Sequence, residues 1–136
     1  MSQWIVDASI TLGWYLKDEG DRTYNLEVLA GLKTNEALVP FLWTYEVANA
    51  LVMAQRRRRL ADSDITTILG SLRTLPITID SPDADRVLRL PVLAIKHRLT
   101  AYDSAYIELA LRLKLPIGNQ GRCYETSNEF LGHRDG

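Results

Sequence analysis

A single cysteine, Cys123, and two isolated histidines, His97 and His133, stand in a chain of 136 residues. The lone cysteine excludes an internal disulfide framework and a cysteine-rich zinc site. Neither histidine is placed to be a general base, and each reads as solvated or structural. Net charge is also nearly absent: 16 Lys and Arg against 17 Asp and Glu leave −1. Binding to nucleic acid must therefore come from a local basic patch, not from overall charge. Long apolar runs are missing too. The most membrane-like window, 37–54, is broken by Pro40, Glu46 and Asn49, so it reads as buried and no membrane partner is expected. Met1-Ser2-Gln3 lacks a basic opening and Asp7 cuts short the apolar run behind it. No secretory signal is expected on that ground, and the expected location is cytoplasmic. Repeats, linkers and low-complexity stretches are lacking, and the length suits one compact domain.

What is present is an alternation of short apolar runs with helical periodicity. Trp4-Ile5-Val6 reads as a strand buried on both faces, Ala37-Leu38-Val39 (closed by Pro40) and Ile77-Thr78-Ile79 as a second and a third strand, and Leu115-Pro116-Ile117 as a short last strand. Helices are predicted over Ile10 to Leu16 with Ser9 as cap, over Tyr24 to Leu32, and from Trp43 to about Arg57. Others are predicted from Ala61 to about Arg73, from Ser81-Pro82 to about His97 with a kink or split at Pro91, and over Asp103 to Lys114. Strands alternating with helices predict an α/β fold with a central parallel sheet, whose sites form beyond the carboxyl ends of the strands.

Three acids stand where such elements start or stop. Asp7 ends the first strand, Glu46 interrupts an apolar helix, and Asp103 opens the last helix. Each has a structural reading. Asp7 can accept backbone N–H bonds in its turn. Thr100 and Asp103 match a capping box. Glu46 can lie on an exposed stripe. A carboxylate near a core is costly unless it is paired, hydrogen-bonded or bound to a cation. Should the three converge, they raise one another's pKa, and a hard divalent cation removes the conflict. Such a site can activate water for attack on a phosphodiester. Arg56, Arg57, Arg58 and Arg59 follow the Glu46 helix. They read either as a solvated helix end complementing the backbone dipole or as a phosphate-tracking patch for RNA. Tyr102 and Tyr106 read as core at helical spacing, or as base-stacking groups.

Val6-Asp7-Ala8-Ser9, Tyr45-Glu46-Val47-Ala48-Asn49-Ala50-Leu51 and Leu99-Thr100-Ala101-Tyr102-Asp103-Ser104-Ala105-Tyr106, in this order, resemble PIN-domain ribonucleases of the VapC toxin type. The resemblance covers about Ile5 to Ile117. It implies a three-layer α/β/α sandwich around a parallel five-stranded sheet and RNA cleavage dependent on Mg²⁺ or Mn²⁺. It also implies a homodimer and neutralisation by a small antitoxin protein. Asp7, Glu46 and Asp103 then match the family's first three acidic, metal-holding and catalytic positions, with Ser9 and Thr100 as neighbours that orient them. Two other readings remain: a crippled PIN domain that binds an antitoxin or RNA without cleaving it, and a flavodoxin-like receiver that accepts phosphate on an aspartate. The receiver ranks last, because such domains pair two adjacent acids and Val6-Asp7-Ala8 offers one.

The chain departs from the family after residue 117, so residues 1–117 are read as the PIN-like domain and 118–136 as an atypical tail. The family continues with a threonine, a variable residue and a fourth aspartate, whereas Gly118-Asn119-Gln120-Gly121-Arg122 carries no carboxylate. Glu125 and Glu129 are the nearest acids. Periodicity is lost here, which predicts a poorly ordered or frameshifted ending. Read one nucleotide later, possible codons for Gly118 through the start of Arg122 permit alanine, threonine, lysine or arginine, then aspartate. The coding DNA tests this: a frameshift requires codons at Gly118 to Gly121 that spell Thr-x-Asp one base on, and codons that exclude it end the idea. With three acids in place of four, weaker metal binding and weakened cleavage are expected.

Overall fold

The computed structural model describes residues 2–17, 20–115, 117–119 and 122–124, with side chains described as far as Leu115. The elements run β1 (Ser2–Val6), α1 (Ala8–Gly13), α2 (Arg22–Gly31), β2 (Asn35–Pro40), α3 (Leu42–Arg56), α4 (Asp62–Thr74) and β3 (Ile77–Asp80). They continue with α5 (Ala84–Leu88), α6 (Leu90–His97), α7 (Ala101–Leu113), β4 (Ile117–Asn119) and β5 (Arg122–Tyr124). The fold is α/β.

The sheet order is β3-β2-β1-β4-β5. β1 lies at its centre, paired in parallel with β2 from Ser2↔Asn35 to Ile5↔Leu38 and with β4 at Ile5↔Ile117 and Val6↔Gly118. β2 and β3 are also parallel, from Ala37↔Ile77 to Pro40↔Asp80. The chain thus leaves β1 toward one side of the sheet and later returns on the other, a switch point of the kind where ligands sit beyond the strand ends. Asp7 is the residue just past β1.

Successive side chains of a strand point to opposite faces, and the core divides accordingly. Ile5 belongs to an apolar cluster with Leu38, Trp43, Val47, Leu51 and Leu109. Val6 belongs to another with Ile10, Trp14, Val28, Leu32 and Ala37. Ile5, Ile10 and Leu109 are wholly buried. Among the described residues no helix is long and apolar enough to cross a membrane; the window 37–54 is divided between β2 and α3.

Helix starts differ from expectation where a carboxylate outcompetes a neighbouring hydroxyl. Asp7, not Ser9, caps α1, its Oδ1 accepting the Ile10 N–H at 2.9 Å. Asp83, not Ser81-Pro82, caps α5 by accepting from the Arg86 N–H at 2.8 Å. At α4 the Asp64 carboxylate accepts the Ala61 N–H at 2.8 Å. Pro91 splits the predicted long helix, standing in the first turn of α6, where no intrahelical N–H is required.

The far edge of the sheet also differs. β5 runs antiparallel to β4, with Ile117↔Tyr124 to Asn119↔Arg122 in register, so the sheet is not wholly parallel. Only two residues separate these strands in the chain, too few for the crossover that parallel neighbours require. Part of the stretch expected to be poorly ordered is therefore strand; positions 120, 121 and 125–136, including Glu125, Glu129 and His133, lie outside the described residues.

Gly31, at the end of α2, lies under the Trp4 ring. A Cβ built there would stand 2.4 Å from Cη2 and 2.6 Å from Cζ3. Gly31→Ala should therefore destabilise the protein by about 1–3 kcal/mol, the cost of overpacking, despite alanine's better helix propensity. Urea denaturation checks this, and an unchanged or raised midpoint would contradict it.

Candidate functional site

Three elements meet beyond the end of β1. Asp7, half-buried, holds an extended backbone (φ −83°, ψ 167°) that turns the chain into α1. Its carbonyl oxygen accepts the Thr11 hydroxyl at 3.1 Å, and the Thr11 Oγ1 in turn accepts the Trp43 indole N–H at 3.0 Å. Thr11 is 1% exposed and Trp43 7%. Trp43 lies three residues before Glu46, so this buried relay ties the first turn of α3 to the Asp7 corner. Ser9 stands half-buried in the first turn of α1; the hydroxyl on the Asp7 carbonyl is that of Thr11.

Glu46 is half-buried on α3 and faces α7. Tyr106, on α7 and 8% exposed, donates its phenol O–H to Glu46 Oε1 at 2.6 Å. Asp103 is three residues earlier on the same helix, one turn away. Its backbone N–H is held by the Thr100 hydroxyl at 3.0 Å, as the capping reading expects, and Ser104 Oγ donates to the Thr100 carbonyl at 2.9 Å. Capping and a further role are compatible, because a carboxylate has several lone-pair sites.

The electrostatics show which groups sense one another. Burial pushes the Glu46 carboxyl above its ordinary value; the Tyr106 hydrogen bond pulls it down, and the negative charge of Asp103 pushes it up again. Burial likewise holds the Tyr106 phenol protonated, reinforced by the hydrogen bond and charge of Glu46 and by the charge of Asp7, and opposed in part by the Ala8 backbone N–H. Glu46 and Asp103 thus repel each other, and Asp7 acts on the same phenol that holds Glu46. Among the described residues no three His, Cys, Asp or Glu side chains are grouped as a ready-made metal site. In kind, though, the donors fit a hard divalent cation: carboxylate oxygens whose mutual repulsion a positive charge would relieve.

The remaining sequence candidates lie elsewhere. Arg56 is in the last turn of α3, Arg58 has φ 60° just past it, and all four of Arg56 to Arg59 are exposed. At 1.5 Å per residue, Arg56 is roughly 15 Å along the helix from Glu46. Trp43 and Thr11 were not legible as site residues, since each reads as core; of the two readings of Tyr106, core or base-stacking, the structure has it buried with its phenol on Glu46. Also unforeseen is the network at the end of β3. The Asp80 carboxylate meets Arg86 at 2.9 Å and Arg112 at 3.0 Å, and Glu108 meets the same two arginines at 3.3 and 2.8 Å. Beside it opens a groove of about 630 Å³, lined among others by Phe41, Tyr45, Val87, Leu88 and Tyr102.

No protein-family model and no curated protein matches the chain. Among solved structures, the chain is similar to PAE2754 from Pyrobaculum aerophilum. The match has 24% sequence identity and a TM-score of 0.61, and covers 89% of this chain and 76% of that one. At that identity the likeness shows the fold alone, an α/β arrangement shared over most of both chains.

Because the folded protein raises the Glu46 pKa above 4.5, the native state holds this proton more readily than the unfolded chain does. Glu46's contribution to stability is therefore full below about pH 4.5 and is lost as pH rises through the raised value. Glu46→Gln, neutral throughout and still able to accept from Tyr106, removes that loss. The variant's melting temperature relative to the natural protein should rise across this window and level off above it. A pH-independent difference in thermal denaturation would contradict the assignment.

Proposed function

We propose that the chain is a metal-dependent endoribonuclease of the PIN-domain, VapC toxin type, acting as the toxin of a toxin–antitoxin pair. The observation that carries this reading is the Tyr106–Glu46 hydrogen bond, which ties one of the acids to the helix that carries another. Glu46 and Asp103 repel each other, and Asp7 acts on the phenol that holds Glu46. The sequence motifs supply the order and surroundings of the same three acids. The two apolar clusters, which take Ile5 and Val6 separately, support a three-layer α/β/α arrangement.

In this reading Asp7 and Asp103 hold Mg²⁺ or Mn²⁺, with Glu46 reaching it through water. The cation, when bound, supplies charge neutralisation and an activated water for hydrolysis of an RNA phosphodiester. The chain's own residues set the geometry. Tyr106, kept protonated, donates to one Glu46 oxygen and so fixes the carboxylate's orientation. The Trp43–Thr11 relay holds the Asp7 corner against α3. Thr100 holds the start of α7 and with it Asp103, and Ser9 is the neighbour proposed to orient Asp7. Arg56 to Arg59 would track phosphates some way from the acids. Leu88, Val92 and Ile95, 74–80% exposed on α5 and α6, offer an apolar stripe for a second copy or for the antitoxin.

The alternative is a PIN domain that binds antitoxin or RNA without cutting. It is favoured by the lack of a carboxylate from Gly118 to Arg122, which leaves less negative charge around a cation. Cleavage of labelled RNA separates the two. The proposal expects slow hydrolysis with Mg²⁺ or Mn²⁺ that chelation stops. It also expects about 100-fold or greater loss for Asp7→Asn or Asp103→Asn and about tenfold for Glu46→Gln. Hydrolysis that survives both chelator and Asp7→Asn would refute it; RNA binding with no hydrolysis under any cation would establish the alternative.

A further inference from the structure

Two tyrosines immediately precede two of the acids. Tyr45 stands before Glu46 on α3 and Tyr102 before Asp103 on α7, and both line the same groove. Their exposures are 69% and 66%, unlike Tyr106, which the core takes up. Phe41 packs edge-on against Tyr45, with ring centroids 5.9 Å apart at 67°, a contact that restrains the Tyr45 ring. Resting on the ribonuclease reading above, we infer that Tyr45 and Tyr102 form a stacking subsite for unpaired nucleobases of single-stranded RNA beside the acidic centre.

The charge distribution favours stacking over backbone capture at this place. Asp80 and Glu108 line the groove and the chain's net charge is −1, so affinity here must come from something other than attraction to the backbone. Among the described residues the one guanidinium lining the groove, that of Arg86, is engaged with Asp80 and Glu108. Base faces supply affinity that does not depend on charge, and exposed aromatic rings are the groups that receive them. Leu42 and Val87 on the same groove give the apolar surroundings in which an extruded base is held. In a duplex the faces are already stacked, so this subsite selects single strands, loops and ends.

The test measures binding of oligouridine and of an abasic ribose-phosphate oligomer of equal length, without divalent cation, by fluorescence anisotropy. Tyr45→Ser and Tyr102→Ser should each weaken oligouridine binding about tenfold and leave abasic binding unchanged. Tyr45→Phe and Tyr102→Phe should restore it. Melting temperature and hydrodynamic size are followed for every variant. Unchanged oligouridine affinity, equal loss for both oligomers, or a loss that follows a change in oligomeric state would overturn the subsite; the last would make the tyrosines a contact between copies of the chain. RNA cleavage insensitive to both tyrosines overturns the subsite alone. Tyrosine-dependent binding without cleavage keeps the subsite and removes the hydrolase reading, and a natural protein that binds neither oligomer removes both.

Discussion

The hydrogen bond from Tyr106 to Glu46, 2.6 Å long, is the contact on which the arrangement turns. It joins α3 to α7 where Glu46 also senses the negative charge of Asp103. A half-buried glutamate beside an aspartate is a liability in water and a worse one under protein. The phenol offsets part of that cost by donating to the charged form, and its own burial keeps the proton in place.

The rest of the fold supplies a rigid frame for that contact. A central parallel strand buried on both faces, with Ile5 and Val6 in different apolar clusters, sets the position of Asp7. The Trp43–Thr11–Asp7 relay ties the corner to α3 through a buried indole–hydroxyl hydrogen bond and a part-buried one to the Asp7 carbonyl. On α7 the Thr100 cap sets the first turn and so the direction of Asp103. The Asp80, Arg86, Glu108 and Arg112 network links α7 to the end of β3. Its members are partly solvated, so its value lies more in registering the helix than in bulk stability.

The elements of the fold were legible because their signals are local. Apolar triplets bounded by turn residues marked three strands, and the 3.6-residue repeat marked α3 and α7. The positions of Asp7, Glu46 and Asp103 at element ends were legible for the same reason. The bond from Tyr106 to Glu46 was not, because a contact across 60 residues of chain leaves no mark on the helical pattern. Thr11 is another such case: a threonine in a helix is ordinary until its hydroxyl is found between an indole and a carbonyl. Ser9 and Ser81 were expected as caps, and the aspartates beside or near them, Asp7 and Asp83, took the role. Past Ile117 the loss of periodicity hid β5, which pairs through backbone groups and needs no side-chain pattern.

The central claim is that the side chains of Asp7, Glu46 and Asp103 serve one centre beyond β1. A crystal of the protein soaked with Mn²⁺ and measured at the manganese edge tests it most directly. The account predicts an anomalous peak between Asp7 and Asp103, with Glu46 still accepting from Tyr106. Well-ordered carboxylates with no peak between them, or a peak bound elsewhere on the molecule, would contradict it.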